Sequence, residues 1–245
     1  MSEIAVDMLD LALAYARRGW RVFPLNGKVP AIAGPGGCLD ATTDLEAVFE
    51  LWRARPSANI GIATGEASGV LAIDLDGPDA RRAWLSLVGR HEPIETATSR
   101  TGRADGGLHV LFAWPAGEHV PNRSQSEWSA RVLGHRKIEV IGEGRYIVAP
   151  GSLHATGARY AWELGSGDRE LAPLPAWLLA LLREEIVDRQ ERPTWKPRTE
   201  NDSNRARSYC TGALKFAHDE VAQLPKGERN ARLVLEAFKL GGLIP

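Results

Sequence analysis

The chain reads as an α+β protein, built of mixed or antiparallel sheets flanked by helices and followed by a small all-helical domain. Three observations carry this. Short apolar runs such as "ANIGIATG" and "GVLAIDLDG" follow one another across single turns, the pattern of adjacent strands. Segments of helical periodicity flank those runs on both sides. Beyond residue 204 the strand pattern stops and helical periodicity alone remains. At 245 residues, 44% hydrophobic and 25% charged, the composition is that of an ordinary globular protein.

The elements follow in order. In residues 4–18, Ile4, Met8, Leu11 and Tyr15 recur at helical spacing. "WRVFPLN" predicts a short strand and "GKVPAIAGPGG" a loop, because glycine and proline break regular structure. "ATTDLEAVFELWRARP" predicts a helix with Thr43 or Asp44 as N-cap, Glu46 in its first turn and an end before Pro56. The two apolar runs already quoted are the next strands. "PDARRAWLSLVGR" is a helix with Pro78 at its first position and Asp79 in its first turn. "ETATSRTGRADGGLHVLFAWP" gives two strands around "TGRADGG", and "KIEVIG", "RYIVAPGS" and "RYAWEL" give three more. "NRSQSEWSARVLGHRK" reads as a polar, basic loop. "PAWLLALLREEIVDR" is a helix capping the core.

These elements make a first domain over 1–188. The polar "QERPTWKPRTENDSN" makes 189–204 a linker, and 205–245 is a small helical domain, expected to begin a longer C-terminal region. Net charge is −1, so the chain is not globally basic, although a local cationic cleft is compatible with that sum. No apolar run approaches the roughly 20 residues of a membrane span. The acidic, amphipathic N-terminus is unlike a signal peptide. Two distant cysteines, Cys38 and Cys210, cannot build a zinc site and point to a reducing cytosol.

Asp74 and Asp76 stand two residues apart at the end of an apolar strand, so both side chains leave the same face. Two like charges there repel, and a divalent cation such as Mg²⁺ or Mn²⁺ relieves them. A solvated strand end is the alternative. His109 follows Gly106 and Gly107, whose missing side chains let a ligand approach the backbone. It is either a ligand-facing group or a satisfied core or surface histidine. Glu139, between Ile138 and Val140, is either a third site acid or the exposed position of a half-buried strand.

Taken in order, D-x-D on a strand, Gly-Gly-x-His on a strand, and a strand acid followed by "GEGRYIVAPGSLH" resemble the bifunctional primase-polymerase branch of the archaeo-eukaryotic primase superfamily. "KVPAIAGPGGCLDATTD", "LWRARPSANIGIATG" and "RYIVAPGSLH" resemble its flanking segments, and the resemblance spans residues 8–180. It implies an archaeo-eukaryotic primase-like core with an RRM-like palm half. It also implies two-metal nucleotidyl transfer with Asp74, Asp76 and Glu139 as metal ligands and His109 as a contact to the incoming triphosphate. Glu139 stands where the family usually has Asp, and the zinc stem of some relatives has no counterpart. The partners implied are a single-stranded DNA template, a primer and NTP or dNTP, with a fused or separate replicative helicase. The setting is a phage, plasmid or prophage replication module in a bacterial cytosol.

Lys28, Arg100, Arg103, Arg145, Ser152 and His154 are the phosphate binders expected beside the acids, with Lys28 equally a candidate template contact and Gly107 as the close-approach glycine. Tyr146 is a candidate gate against a 2′-hydroxyl, and Trp128 a candidate base-stacking residue. Glu228, Arg229 and Asn230 either start a helix or contact nucleic acid. Two rival functions use similar residues: a metal-dependent nuclease or phosphohydrolase, and a non-catalytic DNA-binding replication initiator.

Overall fold

The computed structural model describes residues 7–32, 37–124, 126–167 and 169–184, together with Thr211, Lys215, His218 and Ala222. The chain divides into two compact units, Met1–Ile186 and Val187–Pro245. In the second, the four described residues are helical, and the linker over 189–204 and the segment Glu228–Asn230 lie outside the described residues.

The first unit opens with helix α1, Met8–Arg17, whose N-cap Asp7 accepts hydrogen bonds from the Leu9 and Asp10 amides at 2.8 and 3.3 Å. Strand β1, Val22–Asn26, turns through Gly27 and Lys28 into the two-residue strand β2, Val29–Pro30. Gly27 takes φ 60°, a conformation that glycine adopts at little cost in so tight a turn. Helix α2, Leu45–Arg53, is capped by Asp44 and ends before Pro56 as the sequence predicts.

Strands β3, Asn59–Thr64, and β4, Val70–Leu75, follow. They are not the paired neighbours expected from the sequence. A single helical turn, Glu66–Ser68, between Gly65 (φ 119°) and Gly69 (φ 65°), carries the chain from one sheet into another. Helix α3, Pro78–Val88, then has Pro78 and Asp79 in its first turn. Strands β5, Thr98–Arg100, and β6, Leu108–Ala113, bracket the glycine-rich loop. The expected polar loop around Trp128 contains helix α4, Glu127–Val132, nucleated by Ser126, whose hydroxyl accepts from the Ser129 amide. Strands β7, Ile138–Ile141, β8, Arg145–Val148, β9, Ala161–Trp162, and β10, Ala172–Pro173, complete the set, and helix α5, Ala176–Leu182, closes it.

One sheet runs β2-β1-β3-β8, all antiparallel; the other runs β7-β4-β6-β5-β9, antiparallel, with β10 added parallel to β6. The α+β class with mixed sheets is therefore observed. Strand β4 is central and buried on both faces. Leu71, Ile73 and Leu75 join Val110, Phe112, Ile138, Val140 and Leu178 in one core. Val70 and Ala72 join Leu111, Ile60, Ile62, Ile147 and Trp52 in the other. Period-2 alternation fixes this division, and a register slip of one residue would exchange the two cores. The next position on the second face is Asp74.

Candidate active site

Asp74 lies directly opposite His109 of β6 on one side and Glu139 of β7 on the other, and His109 lies opposite Ser99 of β5. Glu139, Asp74, His109 and Ser99 thus form one row across four strands, on one face of the sheet. The same face is apolar one step back along the strands, at Ala72 and Leu111. The row marks where that core opens to solvent.

An open cleft of about 480 Å³ lies over Asp74 and His109 in the middle of the row and is lined by them with Asp76, Thr101 and Arg103; Glu139 and Ser99, at the two ends of the row, are not among its lining residues. Lys28, Arg145 and Tyr146 line it from the first sheet, and Tyr160 comes from the segment before β9. The Asp74 side chain is 19% exposed, yet its Oδ1 is buried without a hydrogen-bond partner. Burial, then the charges of Asp76 and Glu139, push its pKa up to about 7, against the pull of Lys28 and Arg103. His109 Nε2 stands 3.8 Å from Asp74 Oδ1, and its Nδ1 is likewise buried without a partner. Burial, then the charge of Lys28, depresses the His109 pKa to about 4. The imidazole is neutral at physiological pH, so the Asp74–His109 contact is not an ion pair there. A neutral imidazole donates one hydrogen bond and accepts another.

The cations of the cleft are arranged asymmetrically. Arg103 grips Asp105 through two bonds of 2.8 Å and reaches Asp76 Oδ1 at 3.4 Å. Its pKa is raised, chiefly by the hydrogen bonds to Asp105. Lys28 sits at the β1–β2 turn, whose backbone Tyr146 pins by donating to the Lys28 carbonyl at 2.9 Å. Gly107 is a packing requirement: a Cβ there would stand 2.6 Å from Thr101 Oγ1 and 3.3 Å from the Leu75 carbonyl.

The remaining sequence-derived residues divide. Arg145 is exposed and lines the cleft. Arg100 does not: alternation on β5 turns Ser99 and Thr101 toward the cleft and Arg100 away, where it pairs with Glu163 at 3.3 Å. Ser152 is fully buried and accepts from the Ile60 amide at 3.0 Å, so it joins a loop to β3 and does not face the cleft. His154 lines a neighbouring groove and meets Tyr160 edge-on at 5.7 Å. Trp128 is engaged elsewhere. Arg123 lies 4.5 Å over its ring, and its indole N–H donates to the Glu184 carbonyl at 2.6 Å.

Three residues in or directly beneath the cleft escape the sequence reading. Tyr160 stacks against His109 with centroids 6.2 Å apart, and burial, then Asp74 and Asp76, push its pKa up to about 12. Ser99 and Thr101 have buried hydroxyls without partners. Their signal was present as polar residues two apart on the strand before Gly-Gly-x-His.

A divalent cation fits this donor set. An orphaned carboxylate oxygen beside a second aspartate, with a pKa lifted by mutual repulsion, is what a cation relieves. Among the described residues no three His, Cys, Asp or Glu side chains stand together at ligating spacing. Asp74 and Asp76 are therefore the nucleus, with Glu139 beside them on the adjacent strand.

Among the described residues no helix is long and apolar enough to cross a membrane. Comparison with curated proteins gives no match. The model of the Prim-Pol family, described as the N-terminal domain of bifunctional DNA primase/polymerases, matches residues 12–177. That span takes in all three acids and His109, and the chain belongs to the Prim-Pol family.

Proposed function

We propose that the protein is a template-dependent nucleotidyltransferase that acts as DNA polymerase and primase on single-stranded DNA, in a phage, plasmid or prophage replication module. The observation that carries this reading is the row of Glu139, Asp74 and His109 in strict register across three strands, with Asp76 just beyond.

Asp74 and Asp76, with Glu139 beside them, would hold Mg²⁺ or Mn²⁺, and no zinc is expected. Bound divalent ions supply activation of the attacking 3′-hydroxyl and charge neutralisation at the pyrophosphate leaving group. The chain's own groups do the rest. His109, neutral and anchored on β6, donates a hydrogen bond to a phosphate oxygen without adding a charge that the aspartates would trap. Tyr160 packs on its ring and fixes its plane. Lys28 and Arg145 bring positive charge to the triphosphate from the opposite sheet. Arg103 balances Asp76 and Asp105 until nucleotide phosphates compete for its guanidinium. Gly107, by carrying no side chain, lets Thr101 and Arg103 pack closely beneath the cleft.

The test is incubation of the full chain with primed and unprimed single-stranded DNA, NTP or dNTP, and Mg²⁺ or Mn²⁺. Extension of the primer, and new chains on unprimed template, are expected, and both should vanish in the Asp74→Ala, Asp76→Ala double variant. Extension that survives in that variant would remove the site from the mechanism. Cleavage of DNA without extension would replace polymerase by nuclease, and metal-independent binding without turnover would leave an initiator module.

A further inference from the structure

Beside the catalytic cleft runs a second groove of about 730 Å³, and Lys28 lines both. Its wall includes Arg55, Ser57, Leu153 and His154, and no aspartate or glutamate is among its lining residues. The chain carries more acids than bases, 31 against 30, so a groove free of acids is a local departure from its average. Neither Lys28 nor Arg55 forms an ion pair among the described residues, whereas Arg53, two positions before Arg55, is held by Glu50.

The floor is rigid. Asn59, buried at the start of β3, donates to the Gly27 and Leu153 carbonyls at 2.9 and 2.7 Å and accepts from the Leu153 amide at 2.8 Å. One side chain thereby ties the Lys28 turn to the Leu153 segment. With its backbone held on both sides, Leu153 keeps its side chain 48% exposed over the groove. Fixed positive charge along a channel, with an apolar side chain presented to it, matches single-stranded nucleic acid, whose phosphates seek cations and whose bases seek apolar faces.

We propose that this groove, from Lys28 past Leu153 to Arg55, holds the single-stranded DNA template where it leaves the catalytic cleft. The proposal rests on the nucleotidyl-transfer reading for the identity of the strand. Charge complementarity and continuity with the cleft through Lys28 select a polynucleotide. A free nucleotide is accommodated by the first cleft and has no reason to extend into the second.

The test is fluorescence anisotropy with labelled oligo(dT) on the full chain without divalent metal, across a salt series, for wild type, Arg55→Ala, Arg55→Glu and Leu153→Ser. Arg55 is exposed just after α2, and its backbone alone is hydrogen-bonded in the fold, the amide donating to the Trp52 carbonyl at 3.1 Å and the carbonyl accepting from the Ala58 amide at 3.0 Å. Arg55→Ala should weaken oligonucleotide binding about 3–10-fold and lower the salt slope by about 0.7, the value for one lost phosphate contact on a single strand. Arg55→Glu should weaken it further, and Leu153→Ser should weaken it with no change in slope. Binding of dNTP with Mn²⁺ should be the same in all four. An unchanged oligonucleotide affinity and slope in both Arg55 variants would overturn the proposal. So would an equal loss of oligonucleotide and dNTP binding, which would make the groove a triphosphate pocket. The polymerase reading fails separately: DNA binding that depends on Arg55 in a protein that extends no primer would leave the groove standing and remove the activity.

Discussion

Replacing Asp74 by Asn should stabilise the metal-free protein at alkaline pH while removing its catalytic competence. Asp74 has a pKa of about 7 in the fold against 3.8 for the free side chain. Between those values the folded chain keeps a proton that the unfolded chain has lost. Stability therefore falls as pH rises through this window, and the loss is complete above about pH 7. At roughly 1.4 kcal/mol per pH unit, the whole penalty is about 4 kcal/mol at most, and more than half of it develops between pH 5 and pH 8. Asn has nearly the same shape and no charge. In EDTA, the melting temperature of Asp74→Asn should thus exceed that of wild type by an amount that grows by roughly 5–10 °C from pH 5 to pH 8. His109 remains buried in both proteins and cancels from the comparison. Adding Mn²⁺ should narrow that gap, because an ion at a hundred times its Kd stabilises the wild type by about 2.7 kcal/mol and finds one ligand fewer in the variant. Thermal melts by circular dichroism, with and without Mn²⁺, measure both effects. A wild type as stable as Asp74→Asn at pH 8 in EDTA, or a gap independent of pH, would refute the claim that the aspartate is held against electrostatic cost.

Other substitutions probe the scaffold under the site. Gly107→Ala puts a methyl group 2.6 Å from Thr101 Oγ1, so a stability loss of about 1–3 kcal/mol and a fall in nucleotide affinity are expected in denaturant melts and dNTP titrations. Asn59→Ala strips three hydrogen bonds from a buried position and should cost about 2–4 kcal/mol, measured by urea unfolding, with Lys28-dependent DNA binding weakened as well. Arg103→Gln removes the guanidinium near Asp76 and should raise the Asp74 pKa further, read as a displacement of the pH-stability profile to higher pH in EDTA.

Much of the site was legible because strand geometry is periodic. Asp74 and Asp76 two apart, His109 after Gly106-Gly107, and Glu139 between Ile138 and Val140 each declare a face, and the register then aligns three of them in one row. Helices were legible for a similar local reason: Asp44 marks the start of α2, Pro78 and Asp79 that of α3, and the spacing of Met8, Leu11 and Tyr15 declares α1. What failed depends on partners far away in sequence. Strands β3 and β4 have the pattern of adjacent strands, and only the long-range pairing of β4 with β6 and β7 shows that a helical turn separates two sheets. Ser152 has the composition of a phosphate binder, yet its hydroxyl is spent on the Ile60 amide 92 residues away. Arg100 and Arg103 look equivalent in "SRTGRADGG", but one faces Glu163 across the sheet and the other the aspartates. Trp128 seemed free in a polar loop, and Arg123 and the Glu184 carbonyl occupy its face and its N–H. Tyr160 was passed over because its place beside His109 is set by the return of the chain before β9.

The proposed mechanism needs Asp74 and Asp76 to hold the catalytic metals with the nucleotide against His109. The most direct measurement is anomalous diffraction from crystals of the full chain grown with Mn²⁺ and a non-hydrolysable dNTP. Manganese is expected within ligand distance of both aspartates, with the triphosphate in the cleft bounded by Lys28, His109 and Tyr160. Manganese bound elsewhere, or a triphosphate lying away from His109, would contradict it.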